Sequence, residues 1–576
     1  DIKTLSTTAI RALSVAQLDA LTSDQLRALT SAQLNAMSTA PQVVGITTDD
    51  LNVLTSDQIA RLSTGQVQAL TTDQLSHLGT DSLNAMGSAQ FGVLSSSQFG
   101  ALTTAQLAAM ETADLRSVTT NALRGLNSDQ INALTTDEVA NMTTGQIGAL
   151  SSAQVKGLTA ADMTAMGTAQ VATLNSTQVQ ALNTDQLAAI ETGDIKSLST
   201  VALRALSNAQ LDGLTSDQLR ALTTGQVNSL TTAQINNLNT DDLNSLTTDQ
   251  FNKLATGQVQ ALTANQLSHL GTDSLNAMGS GQFAVLTSTQ FGALTTAQLS
   301  AMETADLRSV TTAALSGLNS DQINSLTTDE VANMTTGQIA SLSSAQVKGL
   351  TAGDMTALGT AQVGVLTSAQ VQALNTDQLS AIDASDMKSL STTALRSLSN
   401  AQLDGLTSDQ LRALTTGQVN SLTTAQINNL NTDDLNVLTT DQFNKLATGQ
   451  VAALTANQLS HLGTDSLNAM GSGQFAVLTS TQFGALTTAQ LSTMETADLR
   501  SVTTAALSGL NSDQINALTT DEVANMTTGQ IASLSTAQIK GLTAADMTAL
   551  TTGQVGVLTS AQVQALSTDQ LAAIDA

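Results

Sequence analysis

An eight-residue period runs through the chain and constrains its fold more than any other feature. Leu5, Leu13 and Leu21 lie eight residues apart, and after one disturbance the same spacing resumes at Ile46. In the octads of residues 198–389, numbered from this leucine, position 1 is Leu in 19 of 24 octads and position 6 is apolar in all 24. Position 2 is Ser, Thr, Asn, Asp or Gly in 22, and position 5 is Gln, Glu or Asp in 21. A chain with this consensus, Leu-Thr-Thr-Asp-Gln-Leu-x-Ala, must fold by repetition.

A second, longer period lies above the octads. The segment that begins with Asp1-Ile2-Lys3 recurs at Asp194 and again at Asp386, and the last two occurrences are 192 residues, or 24 octads, apart. The sequence therefore predicts three copies, at 1–193, 194–385 and 386–576. The first copy carries one inserted residue, Pro41, whose ring removes an N–H and restricts the residue before it. We expect only a local deviation around it.

Each octad has the signature of a short capped helix. Position 2 has the composition of an N-cap, and Gln or Glu three residues later completes a capping box. The apolar residues at positions 1 and 6 stand where a hydrophobic staple places them. In the octad from Leu214, we expect Thr215 to be the cap, Gln218 its partner, and Leu219 to pack against Leu214.

Two other folds compete with this interpretation. In one continuous helix, eight residues advance 80° beyond two full turns, so the apolar stripe would spiral and no face could be buried. A β-solenoid requires alternation, whereas positions 1 and 6 have opposite parity, although the Thr residues in register keep that fold open. The predicted fold is all-α: a solenoid of short capped helices, one per octad.

Stacking of octads must provide the core, since one octad has only two large apolar side chains to bury. Positions 1 and 6 are expected to fill a continuous core, and the small residues at position 8 to allow turns to approach closely. Asp or Ser replaces Gln or Glu at position 5 in even-numbered octads of residues 198–389, for example at Asp242, Ser274 and Asp354. This hint favours two octads per turn.

Composition excludes several functional classes. The chain carries 19 Lys and Arg against 46 Asp and Glu, for a net charge of −27, so nucleic acid is not an expected partner. It has no Cys, three His and 1% aromatic residues, which leaves little material for catalysis or for an aromatic ligand pocket. No apolar run has the roughly 20 residues that span a bilayer, so membrane insertion is not expected. We therefore predict a protein that is not an enzyme, with no catalytic residue, cofactor or metal site.

Some residues nevertheless deserve inspection as candidate sites. His77, His269 and His461 occupy one position of the three copies, where a metal or pH-sensitive column competes with a copied surface residue, and we expect the latter. The adjacent aspartates raise the question of Ca²⁺, but carboxylates also favour helix N-termini. All eight Phe fall at position 6 and are expected in the core. The aspartate pairs and two possible glycosylation sequons begin at Asp49, Asp241, Asp433, Asn141 and Asn175.

Runs such as Leu70-Thr-Thr-Asp-Gln-Leu75 and Leu102-Thr-Thr-Ala-Gln-Leu107 resemble repeats of very long bacterial secreted and cell-surface proteins of haemagglutinin-like or adhesin-like type. The resemblance covers the whole chain and implies an exported structural or adhesive array. The expected function is a segment of an extracellular filament, stalk or surface fibre, with further copies of the repeat, the cell surface or the extracellular matrix as partners. The alternative is an adhesin or ice-binding array that presents a regular Thr-rich face, with position 3 free to bind.

Overall fold

A computed structural model of the protein describes residues 1–574. Over this range the chain forms 70 short α-helices, one 3-10 segment and one π-helical segment, with no strand. The prediction of an all-α solenoid is confirmed, and the β-solenoid alternative is wrong. The chain divides into two compact units, Asp1–Val285 and Leu286–Ala576. The division into three copies at 1–193, 194–385 and 386–576 stays a prediction from the sequence.

The helix boundaries follow the octads. The 3-10 segment is Ile2–Thr4, and the first α-helices are Thr7–Ala12, Val15–Asp19, Ser23–Ala28 and Ser31–Ala36. The π-helical segment Thr39–Val43 follows. From Thr48–Val53 to Thr568–Ala572, a helix of four to six residues begins at every residue whose number is a multiple of eight. Position 3 of each octad is therefore the first helical residue.

The predicted capping box forms as expected in most octads. Thr215 Oγ1 accepts a hydrogen bond from the Gln218 main-chain N–H at 3.2 Å, and Gln218 Oε1 accepts from the Thr215 main-chain N–H at 2.9 Å. Thr215 has extended backbone, and so does Leu222, which ends the helix Ser216–Ala221. Extended residues at positions 1 and 2 turn the chain between helices. Where Gly or Glu takes position 2, as at Gly279 and Glu303, no side-chain cap forms.

The core consists of position 1 and position 6 side chains. Leu214 and Leu219 are 3% and 0% exposed, and the same two positions are buried in nearly every interior octad. All eight phenylalanines are fully buried at position 6, as predicted: Phe91, Phe99, Phe251, Phe283, Phe291, Phe443, Phe475 and Phe483.

Three octads complete one turn of the solenoid, so the expectation of two octads per turn is wrong. Helix Ser216–Ala221 packs against Thr192–Ile195 before it and Thr240–Ser245 after it, each three helices away along the chain. The even-numbered hint failed because it omitted glutamate. Asp114, Glu138 and Asp162 are all at position 5 and lie 24 residues apart, on helices that stack in succession.

The insertion at Pro41 is absorbed locally. Gln42 Oε1 accepts from the Ser38 N–H at 2.8 Å, four residues away instead of the usual three, so the box closes around one extra residue. Ala40, before the proline, has φ −131° and ψ 131° inside the π-helical segment. Beyond Ile46 each helix again begins at position 3. The expected local bulge is therefore what the structure shows.

Small residues permit close contact between turns, as predicted for position 8. Helices Ser96–Gly100 and Thr120–Leu123 pack against each other, and Gly125 follows the second of them. A Cβ atom at Gly125 would lie 1.9 Å from the Ser96 carbonyl oxygen, and one at Gly100 would lie 2.4 Å from the Gly125 carbonyl oxygen. Side chains are excluded here by the neighbouring backbone.

Candidate functional site

The position 5 glutamine links successive turns through its side-chain amide. While Gln218 Oε1 accepts from the cap, Gln218 Nε2 donates to the carbonyl oxygens of Leu187 at 2.9 Å and Ile190 at 2.7 Å. These acceptors lie 31 and 28 residues earlier, at the end of one helix and the start of the next octad in the preceding turn. Both ends of one buried carboxamide are thus used, one within the octad and one between turns.

The same bridge recurs along both units. Gln146 donates to Leu115 and Val118, and Gln418 donates to Met387 and Leu390, again 31 and 28 residues earlier. Sequence reasoning found the capping role of this residue but missed the bridge. The preference for Gln over Glu at position 5 was the available signal, because an ionised carboxylate only accepts hydrogen bonds whereas the amide both accepts and donates.

Aspartate at position 5 produces a different contact between turns. Asn239 Nδ2 donates to Asp242 Oδ2 at 2.7 Å and also to Asp212 Oδ1, which belongs to the preceding turn. Burial, followed by the proximity of Asp212, raises the pKa of Asp242 to about 6. Asp434 has an equivalent environment with Asp404 and Asn431, and its pKa is also raised to about 6. The carboxyl groups of Asp242 and Asp434 therefore hold a proton at a higher pH than an ordinary aspartate does.

Glutamate at position 5 is more deeply buried than this cluster. Glu138, Glu330 and Glu522 are 1%, 2% and 2% exposed. Burial is the largest cause of a raised pKa at all three carboxyl groups, and hydrogen bonds from the cap residue partly oppose it. No sequence signal singled out these residues before the bridge was known.

The three histidines do not form a site. His77 is exposed, its Nδ1 lies 2.9 Å from the Asp73 carbonyl oxygen, and it makes an exposed ion pair with the Asp73 side chain at 3.3 Å. His269 and His461 are exposed in the same way, with Nδ1 beside the main chain of Asn265 and Asn457. Each contacts its own helix, as a surface residue copied with its repeat does.

The adjacent aspartates do not assemble into a metal centre. Asp241 is exposed whereas Asp242 is buried and bonded to Asn239, so the two side chains point into different surroundings. Within residues 1–574, no group of three or more His, Asp or Glu side chains is arranged to hold a metal ion. Of the sequon residues, Asn141 is exposed, while Asn175 caps a helix by accepting from the Gln178 N–H.

The outer surface is formed by positions 2, 3, 4 and 7. Thr120 and Thr144, both at position 3 of stacked helices, are exposed. Position 3 is not uniformly free, however. Ser88 Oγ donates to Asp114 Oδ1 of the next turn at 2.9 Å, and Thr168 donates to Asp194 in the same manner. Ser88 and Thr168 are exposed, but their hydroxyls are engaged by the next turn, so the expectation that position 3 is free to bind is wrong at these octads.

The family model described as the ALTTAQ repeat matches residues 1–31, 43–144, 157–336, 350–488 and 491–576 in overlapping stretches. The chain belongs to the ALTTAQ repeat family. The six letters of that description stand in the chain at 101–106, 293–298 and 485–490, where Thr-Thr supplies the cap and the first helical residue. In the first and third of these, Gln106 and Gln490 also supply the bridge. An ALTTAQ repeat is thus a cap, a helix start and an inter-turn contact within six residues.

Other comparisons add little to the family assignment. None of the curated proteins matches the chain. The similar solved structures include "Structure of APUM23-GGAAUUGACGG", with 14% identity over 80% of this chain and 93% of that one, at a TM-score of 0.14. They also include the leucine-rich repeat-containing protein LegL7 from Legionella pneumophila, with 12% identity over 43% of this chain and 84% of that one, at a TM-score of 0.14. Neither likeness carries an argument about fold or function.

None of the helices within residues 1–574 has the length and apolar character needed to span a bilayer.

Proposed function

We propose that this ALTTAQ repeat chain is a segment of an extended structural array, a filament, stalk or surface fibre, that acts outside the cell and has no catalytic activity. The glutamine bridge carries the proposal. Because the same atoms join each turn to the one before it, a turn added to a stack of this kind needs no new kind of contact. Length is therefore the property that this architecture can vary most easily.

The surface chemistry supports an array that extends along its axis without clumping sideways. A net charge of −27 makes like chains repel one another laterally, while the core and the bridges act along the stack. Absence of Cys and the acidic composition are compatible with export. The proposed partners are further copies of the repeat, and the cell surface or extracellular matrix to which such a fibre attaches. Nucleic acid is not a proposed partner.

Imaging of the purified chain tests this function. At native concentration and salt, negative-stain microscopy should show elongated particles or fibres. Light scattering of the same sample should give a mass or a particle size that agrees with the images. Fractionation of the source cells should recover the protein outside the cytoplasm. Compact, monodisperse monomers, or an exclusively cytoplasmic location, would contradict the proposal.

A binding surface is the second candidate, because exposed hydroxyls such as those of Thr120 and Thr144 follow one another from turn to turn. Either an adhesin or an ice-binding face would use such a row. The row is interrupted at the next turn, where the Thr168 hydroxyl is engaged by Asp194, and another row carries Ala160 and Asn208 at position 3. Replacing Thr120 and Thr144 by Val should reduce attachment to cells or inhibition of ice growth if the surface binds. The same assays with Asp137→Asn serve as a control.

A further inference from the structure

Glutamate replaces the bridging glutamine at one octad in each predicted copy. Glu138, Glu330 and Glu522 keep the capping half of the interaction. Thr135 donates to Glu138 Oε2 from its main-chain N–H at 2.5 Å and from its hydroxyl at 2.8 Å. Thr327 donates to Glu330 Oε2 in the same two ways, at 2.6 Å and 2.8 Å. One carboxyl oxygen is therefore fully used within the octad.

The second carboxyl oxygen is buried without a hydrogen-bond partner. This holds for Oε1 of Glu138, Glu330 and Glu522 alike, within the part of the chain that the structure describes. In glutamine octads the corresponding atom is Nε2, which donates to carbonyls 31 and 28 residues earlier. For Glu138 those two carbonyls belong to Leu107 and Met110. An ionised carboxylate offers them only lone pairs, whereas a carboxylic acid has an O–H to donate.

The charges around Glu138 do not favour ionisation. Helix Thr112–Ser117, packed on one side, carries Asp114 at the equivalent position, with Glu111 before the helix and Arg116 exposed. The helix on the other side, Ala160–Ala165, carries Asp162. Asp137 precedes Glu138 on its own helix.

Apart from Arg116, the titratable groups on these elements are acidic. Helix Thr104–Ala108, whose end faces the glutamate in this register, carries no charge. Neither ion pair found among residues 1–574 involves the buried glutamates. A like-charged, dry environment favours the neutral acid.

We propose that Glu138, Glu330 and Glu522 are carboxylic acids in the folded protein, and that each donates its proton to a main-chain carbonyl of the preceding turn. At these octads the carboxylic acid proton replaces the amide hydrogen that, in the glutamine bridge, is donated to a carbonyl of the preceding turn. Each predicted copy then contains one bridge position whose contact depends on pH, set among glutamine bridges of the same shape that do not.

The direction of the pH effect follows from the raised pKa of the three carboxyl groups. In the unfolded chain these groups titrate near their ordinary pKa of 4.5, and burial moves the folded pKa upward. Their contribution to stability is complete below pH 4.5 and is lost as the pH rises through the folded pKa. An array of this kind is held more firmly below the folded pKa of these glutamates and loosens at these turns above it.

The test compares the full chain with the triple variant Glu138→Gln, Glu330→Gln, Glu522→Gln. Glutamine is nearly isosteric and already occupies this position in most octads, so the variant is expected to fold. The matched control replaces the neighbouring exposed residues instead: Asp137→Asn, Asp329→Asn and Asp521→Asn. Urea unfolding at pH 4 to 8 gives stability, and infrared spectroscopy detects the C=O stretch of a protonated carboxyl group.

The folding equilibrium constant of the native chain should fall by up to about tenfold per pH unit for each glutamate above pH 4.5, relative to the glutamine variant. The variant with the three Asp→Asn control substitutions should show the same pH dependence of stability as the native chain, relative to the glutamine variant. Below the folded pKa of the glutamates, the native chain should show a carboxylic acid band that the glutamine variant lacks. Equal pH dependence in the native chain and the glutamine variant, or no such band below the folded pKa, would overturn the proposal. Restoration of native stability at high pH by Na⁺ or Ca²⁺ alone would also overturn it, since a cation rather than a proton would then fill the site.

Discussion

Gln218 Nε2 lies 2.7 Å from the carbonyl oxygen of Ile190, although 28 residues separate the two in sequence. The contact converts a local helix cap into a link between successive turns. Its occurrence in octad after octad explains how helices of only four to six residues persist, because isolated helices of this length are unstable in water.

Removal of one bridge should weaken the solenoid without changing its core. Gln218→Ala leaves the Thr215 N–H and two carbonyls of the preceding turn without their side-chain partner, which should cost about 2–4 kcal/mol. Urea unfolding followed by circular dichroism measures the loss. Gln180→Ala, at an exposed position 7, is the control and should stay within about 0.5 kcal/mol of the native chain. Equal effects of the two changes would show that the bridge contributes no stability.

Position 1 should behave as core. Leu214 is buried, and Leu214→Ala should cost about 2–5 kcal/mol through the cavity it leaves. The same truncation at the exposed Val201 should have a much smaller effect, and thermal unfolding of the two variants gives the comparison. If both variants unfolded at the native temperature, Leu214 would not be contributing to the core.

Loss of a cap should cost less than loss of a core residue. Thr215→Ala removes the acceptor of the Gln218 N–H and should destabilise by about 1 kcal/mol. Ser216→Ala, one residue later at an exposed position 3, keeps the cap and serves as control. If Ser216→Ala lost more stability than Thr215→Ala, Thr215 would not be the cap of this helix.

Two glycines should respond to alanine in opposite directions. Gly125→Ala drives a Cβ to 1.9 Å from the Ser96 carbonyl oxygen, so the helices must separate, at a cost of about 1–3 kcal/mol. Gly65 lies within helix Thr64–Ala69, and a Cβ atom added to it would have no neighbouring atom within 4 Å. Gly65→Ala should therefore stabilise the folded chain by about 0.5–1 kcal/mol. Thermal unfolding of both variants measures the signs, and a stable Gly125→Ala would mean that the turns are more loosely packed than described.

The Asp242 carboxyl group should titrate with a raised pKa of about 6. Carbon-detected NMR of the carboxyl groups should give Asp242 a midpoint of about pH 6, and Asp212→Asn should lower it by removing a like charge. Since the folded pKa is above the ordinary value of 3.8, the contribution of Asp242 to stability is lost as the pH rises through about 6. Asp434 provides an internal replicate. A midpoint near 3.8 for both residues would contradict the assigned environment.

The octad alone was sufficient to predict the helix boundaries, caps and core, because these depend on residues within one repeat. Thr215 and Gln218 form the expected capping box, and Leu219 is buried as expected of the core. The number of octads per turn was predicted wrongly, since it depends on how three helices enclose a common core rather than on local spacing. For the same reason the bridge from Gln218 to Ile190 was missed, and with it the significance of Glu138 at the same position.

Because three octads complete a turn within each unit, the 24-octad period of the sequence is a whole multiple of the octads in one turn. Duplication or deletion of one such stretch by unequal recombination lengthens or shortens the product while leaving later residues on the faces they held before. A gain of one or two octads would instead move every later octad to a different face of the solenoid. The gene can thus change size in large steps that selection acting on the surface pattern does not oppose.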